Sequence, residues 1–299
     1  MNPVLATELE FYLVEHDGEK FMPLVPRIPG SDLPQGGSQY AMMDDLYEFD
    51  DFINDLIDIC ALQNIPSGTA LSEYSPGQFE VNLHHVDDPV LACDHAVLLK
   101  RAVKAAARRG GMAATFMAKP FENISGSGLH IHVSLLDGDG NNVFAGSSKD
   151  GEFSDTLRHA IGGLGQIMNE CTAIFAPNAN SYRRFAPNDF VTSTPSWGEN
   201  HRSVAMRIPL SSPKNRRVEH RVAGADSNPY LVVASILEHV VTLPTRWPVA
   251  LDTFDAGTVL PGYIGEEYHK LFSLCRREEE ERFSARIPAK DFEWYLRAV

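Results

Sequence analysis

Strand-like and helix-like segments follow one another along this chain without the regular strand–helix–strand alternation that a parallel sheet requires. Strand patterns occur at residues 8–15 and in "PGQFEVNLHHV", "LHIHVSLLDGDGNNVF", "SVAMRIPL" and "RRVEHRVAG". The DG-type turn in "LHIHVSLLDGDGNNVF" predicts a second strand after it, and the "SSPKN" turn is expected to pair the last two strands. The chain is therefore predicted to be α+β, with a largely antiparallel sheet and helices packed on it.

Capping residues mark the helices. The longest helix is predicted after Asp88, with Pro89 in its first turn and two glycines past its end. Ser154 caps a second helix, and Asn228 caps another that begins with proline. Apolar residues between 46 and 60 have the spacing of one amphipathic helix. These helices are expected to cover one face of the sheet.

Composition excludes several classes of protein. The chain has 299 residues, of which 43% are apolar and 22% charged, as in ordinary globular domains. Its net charge of -14 argues against a nucleic-acid surface, which needs a basic stripe. No apolar run reaches the about 18 residues of a membrane span, and no signal-peptide pattern opens the chain. Without a CxxC pair, four cysteines are expected to be reduced core residues of a cytoplasmic protein: Cys60, Cys93, Cys171 and Cys275.

Two pairs of glutamates suggest a cation site. Glu8 and Glu10 lie two apart in a predicted strand, so their side chains share one face, where like charges repel unless something positive lies between them. Glu73 and Glu80 bracket a Pro-Gly turn, which lets their carboxylates converge. Exposed acids on an edge strand and an ordinary polar loop are the alternatives for these two motifs.

The stretch "SGSGLHIHVSL" places three polar side chains on one strand face, those of His130, His132 and Ser134. The preceding glycines let backbone N–H groups approach a ligand closely. The stretch matches neither the phosphate-binding loop nor the dinucleotide fingerprint, so the usual nucleotide motifs are excluded. Half-buried, hydrogen-bonded histidines without a ligand are the alternative.

Most unusual for so acidic a chain is a basic run between residues 183 and 221. Within it, Arg217, Glu219 and Arg221 share one strand face. This arrangement is either a surface salt-bridge ladder of little energetic value or a metal ligand beside anion-binding arginines. The cations of the run are Arg183, Arg184, Arg202, Arg207, Lys214, Arg216, Arg217 and Arg221.

Taken together, these residues indicate one chemistry. The candidate ligands lie on predicted strands or their ends, and oxygen-rich sites suit Mg²⁺ or Mn²⁺ better than zinc. One ion does not need five carboxylates, whereas two ions beside an arginine-rich wall form a phosphoryl-transfer site. The candidate ligands are Glu8, Glu10, Glu73, Glu80, His130 and Glu219.

The ordered motifs resemble the catalytic domain of the glutamine synthetase superfamily. They are "ELEFYL", "SEYSPGQFEV", "SGSGLHIHVSL", "NANSYRRF", "NHRSVAMRIP" and "SSPKNRRVEHRVAGADSNPYL". The resemblance implies that residues 1–299 form one catalytic domain and that the small N-terminal β-grasp domain of the family is absent. It also implies the fold of the family's catalytic domain, a curved, mostly antiparallel sheet backed by helices. A guanidino-phosphotransferase shares the fold type but explains Glu8, Glu10 and His130 less well.

The resemblance also implies where metal ions bind. Glu10, Glu73 and Glu80 would hold the ion near the substrate carboxylate. Glu8, His130 and Glu219 would hold the ion that bridges ATP phosphates. Two or three Mg²⁺ or Mn²⁺ ions are therefore expected, with ATP as co-substrate.

Substrate contacts follow from the same resemblance. Arg184 and Arg221 would bind the carboxylates of L-glutamate, and Gly126 would offer a backbone contact. Arg202, Arg207, Glu219 and Arg221 are the expected catalytic residues. The implied reaction is two-step: ATP phosphorylates the side-chain carboxylate of glutamate, and an amine then displaces phosphate. The residues expected to face ATP are His132, Ser134, Arg202, Arg207, Lys214 and Arg217.

Phe190 points to the second substrate. Family members that use ammonia carry a glutamate at this position, where it attracts ammonium and accepts its proton. A phenyl ring does neither, and Asp189 would have to swing in to replace it. An apolar wall favours an alkyl tail, so an alkylamine or polyamine acceptor is predicted over ammonia. "SYRRF" and "WGENHR" also look more like the γ-glutamylpolyamine and γ-glutamylmonoamide synthetase branch.

Two alternatives to an amine ligase stay open. The first is an ammonia-using glutamine synthetase. The second is a truncated, non-catalytic or regulatory subunit, because family active sites lie between subunits and receive residues from the β-grasp domain. The complete set of candidate metal ligands argues against an inert subunit, because clustered buried charges are costly to keep. A homo-oligomer is expected, a dodecameric ring in the intact family.

Overall fold

One nine-stranded sheet forms the centre of the computed structural model, which describes residues 1–35, 40–146, 153–185, 190–236 and 246–285. Its strands are β1 (Asn2–His16), β2 (Phe21–Pro23), β3 (Ser67–Ser72), β4 (Gln78–Leu83), β5 (Ala113–Thr115), β6 (Leu129–Leu136), β7 (Trp197–Glu199), β8 (Met206–Ile208) and β9 (Val218–His220). The strand order is β3-β4-β1-β6-β9-β8-β7, with β2 and β5 also pairing with β1. The pairings between these strands are antiparallel except that of β7 with β8.

Helices begin where the capping residues predict. Asp88 accepts hydrogen bonds from Val90 N and Leu91 N at the start of the longest helix, and Ser154 and Asn228 cap two others. No helix in the described ranges is long and apolar enough to cross a membrane. The helices are α1 (Met43–Glu48), α2 (Asp50–Leu62), α3 (Pro89–Arg109), α4 (Asp155–Ile167), α5 (Thr172–Phe175), α6 (Pro229–Ser235), α7 (Trp247–Ala256), α8 (Pro261–Ile264) and α9 (Glu266–Ser284).

The central strand β1 separates the core from the polar face of the sheet. Leu9 and Phe11 are fully buried among residues of α2 and α3, and the Phe11 ring lies 6.1 Å from that of Phe79 on β4. Glu8 and Glu10 alternate with them and therefore point to the opposite face. The predicted α+β class with a mostly antiparallel sheet is confirmed, and the alternation within β1 explains why the acids gather on one side.

Three local predictions were wrong. The segment after the DG turn forms one isolated bridge, Leu136 to Asn142, because hydrogen bonds from the backbone to Asp137 fold it into tight turns. The single helix predicted over 46–60 is divided at Phe49, which leaves the helical conformation between α1 and α2. Cys275 is exposed on α9, whereas the other three cysteines are buried and free as expected.

Removing the α3 cap is expected to destabilise the chain. In Asp88→Ala, two backbone N–H groups lose their acceptor, so the free energy of unfolding should fall by about 1 kcal/mol. Urea denaturation followed by circular dichroism measures this. Asp87→Ala is the matched control, since Asp87 is also exposed but is not the residue that caps α3. Equal losses in both variants would contradict the assignment of the cap.

Candidate active site

Strand register brings the predicted polar residues into one line across the sheet. Glu10 lies opposite Glu80 on β4, and on its other side β1 places Glu8 opposite His130 of β6. The line continues to β9 and β8 through three further partners in register: His132, Glu219 and Arg207. Because side chains two apart share a face, every member of this line projects into the same polar cleft.

The first half of the cleft is a cluster of carboxylates around one imidazole. Ligand atoms of Glu8, Glu10, Glu80 and His130 all lie within 4.8 Å of one another. His130 Nδ1 is 2.6 Å from Glu8 Oε1, and its Nε2 is 3.7 Å from Glu10 Oε1. Gly128 N donates to Glu10 Oε2 at 2.6 Å. Buried oxygen and imidazole donors at this spacing suit a divalent cation.

The second half of the cleft joins carboxylates to arginines. Glu8, His132 and Glu219 form another group within 4.8 Å, with His132 Nε2 3.2 Å from Glu8 Oε2. Glu219 is fully buried and accepts hydrogen bonds from Arg207 Nη1, at 2.7 Å, and from Arg221 Nη1. These guanidinium groups compensate a carboxylate that would otherwise be costly to bury.

The two groups of ligand atoms overlap. Glu8 belongs to both, and His130 Nδ1, in the first group, also lies 3.8 Å from Glu219 Oε1 of the second, so Glu8, His130 and Glu219 are neighbours. His132 is a further member of the second group. Glu73 lies outside both, since its Oε2 accepts a hydrogen bond from Tyr74 N at 2.8 Å. The turn at Gly77, with a φ of +76°, nevertheless brings Glu73 to the same cleft as Glu80.

The surroundings of the acids in the cleft raise the pKa of two of them and lower the pKa of a third. Burial, together with the charges of Glu8, Glu10 and Glu73, raises the pKa of Glu80 well above its ordinary value. Burial and the Glu10 charge likewise raise the pKa of Glu73 to about 8. Burial opposes ionisation of Glu8, but His130 and His132 hold the pKa of Glu8 well below its ordinary value. The cleft thus crowds its carboxyl groups so closely that Glu73 and Glu80 favour their neutral forms, and a bound cation would stabilise their ionised forms.

A large cavity of about 1150 Å³ opens on one side of Glu8. Of the residues expected to face ATP, five line it, and Arg217 there donates from Nε to His132 Nδ1 at 3.1 Å. Its positive wall and size suit an anionic ligand as large as a nucleotide. Those five residues are His132, Ser134, Arg207, Lys214 and Arg217.

A smaller cavity of about 400 Å³ lies on the other side of Glu8, which lines both. Arg184, Arg221 and Gly126 line it together with the first acidic cluster. A Cβ on Gly126 would approach Arg184 Cγ to 2.7 Å, so glycine is what allows the arginine to pass this loop. Arg202 also lines this smaller cavity rather than the larger one, with its guanidinium 4.9 Å from the Tyr40 ring.

The mouth of the smaller cavity is aromatic. Phe190 is 42% exposed, and its ring meets Tyr74 edge to face with centroids 5.0 Å apart. Val191 and Tyr40 continue the same wall. The adjacent Asp189 lies outside the described residues. A partly open apolar wall in a cavity otherwise lined by charge offers contact area for an alkyl group.

Sequence reasoning missed several residues of the two cavities. Gln78 and Asn82 flank Glu80 at period-two spacing, so strand alternation could have found both; Asn82 Nδ2 donates to Glu80 Oε1 at 2.8 Å. No local pattern marks the others, because they come from loops brought in by the fold. The remaining additions are Tyr40, Tyr74, Ser125 and Val191 in the smaller cavity, and His84, His85, Asp87, Asn141 and Asn142 in the larger.

The fold and the cleft define a class: an α+β domain whose mostly antiparallel sheet carries acidic clusters and arginines between two cavities. Residues 1–242 match the family described as "Glutamine synthetase, catalytic domain". The chain therefore belongs to the glutamine synthetase catalytic-domain family, and the resemblance predicted from its motifs is confirmed.

Three curated relatives and one solved structure show how far the similarity extends. Gamma-glutamylputrescine synthetase PuuA of Escherichia coli (strain K12) is 40% identical, over 99% of this chain and 67% of its own length. Glutamate–isopropylamine ligase of Pseudomonas sp is 42% identical over 56% of this chain and 36% of its own length. Gamma-glutamylethanolamide synthetase GlnA4 of Streptomyces coelicolor (strain ATCC BAA-471 / A3(2) / M145) is 37% identical over 77% of this chain and 52% of its own length. Ligand-free GmaS matches with a TM-score of 0.81 at 25% identity, over 99% of this chain and 73% of that one.

Stability without metal should depend on pH through Glu73. Its native pKa of about 8 exceeds the ordinary value of 4.5, so the native state holds this proton more tightly than the unfolded state. The free energy of unfolding should therefore fall as pH rises from 4.5 to about 8. In Glu73→Gln this fall should be smaller, because the amide does not titrate. Urea unfolding in chelator at pH 5.5 and 8, against the exposed control Glu122→Gln, measures it; equal falls in all three proteins would contradict the assignment.

Proposed function

We propose that this chain is the catalytic part of an ATP-dependent ligase that joins an amine to the γ-carboxylate of L-glutamate through a γ-glutamyl phosphate. The main observation behind this proposal is that Glu8 lines two cavities whose other lining residues differ in charge and polarity. The larger, basic cavity suits ATP, and the smaller cavity suits an amino acid and an amine. Phosphoryl transfer needs the attacking and leaving oxygens in line at the phosphorus, and two cavities that share Glu8 support a donor on one side and an acceptor on the other.

The residues of the smaller cavity account for substrate binding. The buried guanidinium groups of Arg184 and Arg221 would bind the carboxylates of L-glutamate, because charge-assisted hydrogen bonds are strongest out of water. Arg202 lines the smaller cavity and Arg207 the larger, and from these two sides they would stabilise charge on the transferring phosphoryl group. The side-chain carboxylate attacks the γ-phosphorus of ATP, and ADP leaves with the electron pair of the bridging P–O bond. The amine then attacks the acyl carbon, phosphate leaves with the C–O electron pair, and the proton that the amine loses passes to the departing phosphate or to water.

The two acidic clusters fit divalent cations by their donor chemistry. Carboxylates with raised pKa beside imidazoles are the donors that Mg²⁺ or Mn²⁺ would hold ionised. Bound ions would neutralise phosphate oxygens during transfer. The proposed ligands are Glu8, Glu10, Glu73, Glu80, His130 and Glu219, with His132 as a further candidate.

An alkylamine or polyamine is the proposed acceptor. The edge-to-face contact of Phe190 with Tyr74 makes the mouth of the smaller cavity apolar, which favours a carbon tail over water. The names of three relatives, which specify putrescine, isopropylamine and ethanolamide, support an amine rather than ammonia. We also propose a homo-oligomer in the cytoplasm, in keeping with the three buried, free cysteines.

Phosphate release tests the proposed function. Purified protein with ATP and Mg²⁺ or Mn²⁺ should release phosphate only when both L-glutamate and an amine are present. Ammonia, methylamine, ethanolamine, putrescine and spermidine form the acceptor panel, and mass spectrometry identifies the γ-glutamyl product. Glu10→Gln should lose the activity, since it removes a proposed metal ligand. Glutamate-independent phosphate release, or none with any amine, would overturn the proposal.

Phe190→Glu tests the acceptor. The new carboxylate attracts ammonium and removes apolar contact, so the ratio of kcat/KM for ammonia to that for the preferred alkylamine should rise about tenfold or more. Phe190→Leu is the matched control, because it keeps an apolar side chain and should leave the ratio near its starting value. If the ratio stays unchanged in the glutamate variant, Phe190 does not select the amine.

A further inference from the structure

The arginine proposed to bind glutamate sits on a short segment that does not belong to the sheet. Arg184 lies in a 3-10 helix, Ser181–Phe185, and only 3% of its surface is exposed. Its guanidinium donates from Nη1 to Val222 O at 3.0 Å. So short a helix has little stability of its own, because few hydrogen bonds offset the entropy of ordering it. Its position therefore depends on outside contacts.

One carboxylate holds the beginning of this helix. Asp226 Oδ2 accepts a hydrogen bond from Ser181 Oγ at 2.7 Å and another from Asn178 Nδ2 at 2.9 Å. Ser181 Oγ in turn accepts from Asn178 N at 3.1 Å. Bonds to a charged acceptor are stronger than neutral ones, so this closed set clamps the residue from which the helix starts.

A second contact holds the same segment from the other side. Asn180 Oδ1 accepts from Lys119 N at 2.9 Å, and its Nδ2 donates to Lys119 O at 2.8 Å. These two bonds are neutral. They connect the segment to the loop that carries Gly126. The hydrogen bonds with a charged acceptor are those to Asp226.

The backbone just before Asp226 is held by α5 and by the loop that leads into β6. The bonds run from Gly224 N to Phe175 O and from Ala225 N to Ser127 O, both 2.9 Å. Asp226 follows β9, the strand of Glu219, at a short distance along the chain. Asp226 lines neither of the two cavities that meet at Glu8. It touches the helix of Arg184 without reaching the space for substrate.

We propose that Asp226 is a positioning residue for Arg184, which it places by anchoring the 3-10 helix Ser181–Phe185 to the segment that follows β9. The proposal rests on the proposed function, in which Arg184 binds a carboxylate of glutamate. Losing the anchor weakens glutamate binding, because the guanidinium no longer stays in one place. ATP binding and the chemical steps use other residues and change little.

Steady-state kinetics test this with one variant series. In Asp226→Ala the KM for L-glutamate should rise about tenfold, while kcat and the KM for ATP stay within about twofold. Asp226→Asn keeps an oxygen that accepts both hydrogen bonds but lacks the charge. Its KM for L-glutamate should therefore lie between those of the wild-type protein and Asp226→Ala. Ser181→Ala removes one of the two donors and should shift KM in the same direction.

Asp255→Ala is the matched control. Asp255 on α7 also accepts a hydrogen bond from a serine hydroxyl, that of Ser273 on α9, but has no connection to Arg184. Its loss should leave the KM for glutamate unchanged even if the melting temperature falls. An equal rise in both alanine variants, or an ATP KM that rises with the glutamate KM, would show general destabilisation and overturn the proposal.

Arginine labelling separates this proposal from the proposed function. Phenylglyoxal modifies accessible guanidinium groups, and tandem mass spectrometry distinguishes buried Arg184 from its exposed neighbour Arg183. Labelling of Arg184 relative to Arg183 should rise several-fold in Asp226→Ala and in Ser181→Ala, and not in Asp255→Ala. This readout needs no turnover, so an inactive wild-type protein would refute the ligase alone. Unchanged labelling of Arg184 in both helix-anchor variants would overturn the positioning role.

Discussion

Every functional feature of this protein depends on the register of β1 between β4 and β6. That register sets Glu10 against Glu80 and Glu8 against His130. Because side chains alternate with a period of two, a slip by one residue would turn both acids into the helix-packed core and Leu9 into the cleft. The burial of Leu9 and Phe11 therefore fixes the positions of the acids, and packing energy on one face determines the chemistry on the other.

The cost of crowding these acids is compensated in different ways along the line. Histidines stabilise the ionised form of Glu8, and two arginines neutralise the buried Glu219. Glu73 and Glu80 have no such partner of comparable strength, and raised pKa values keep their protons on them instead. The cleft is thus electrically uneven: anions are favoured beside the arginines and cations beside the acids. The proposed nucleotide in the larger cavity and the proposed metal ions at the acids would match this division.

Much of the fold was predictable because the signals are local. Caps at Asp88 and Ser154 and the alternation around Glu8 act within a few residues, so sequence alone reveals them. The predicted second strand after the DG turn failed because Asp137 accepts local backbone bonds that compete with pairing to the sheet. The contacts of Glu8 with both histidines were not predictable either, since their distances depend on strand geometry and side-chain rotamers.

The sequence by itself determined the family, the α+β class, and which of the candidate site residues share a strand face. These follow from motif order and from the fixed period of a strand. Only the tertiary structure decided that two cavities meet at Glu8, that Phe190 packs on Tyr74, and that Asp226 reaches Ser181. Such contacts join residues far apart in the chain, and their distances depend on how loops close over the sheet, which no local pattern encodes.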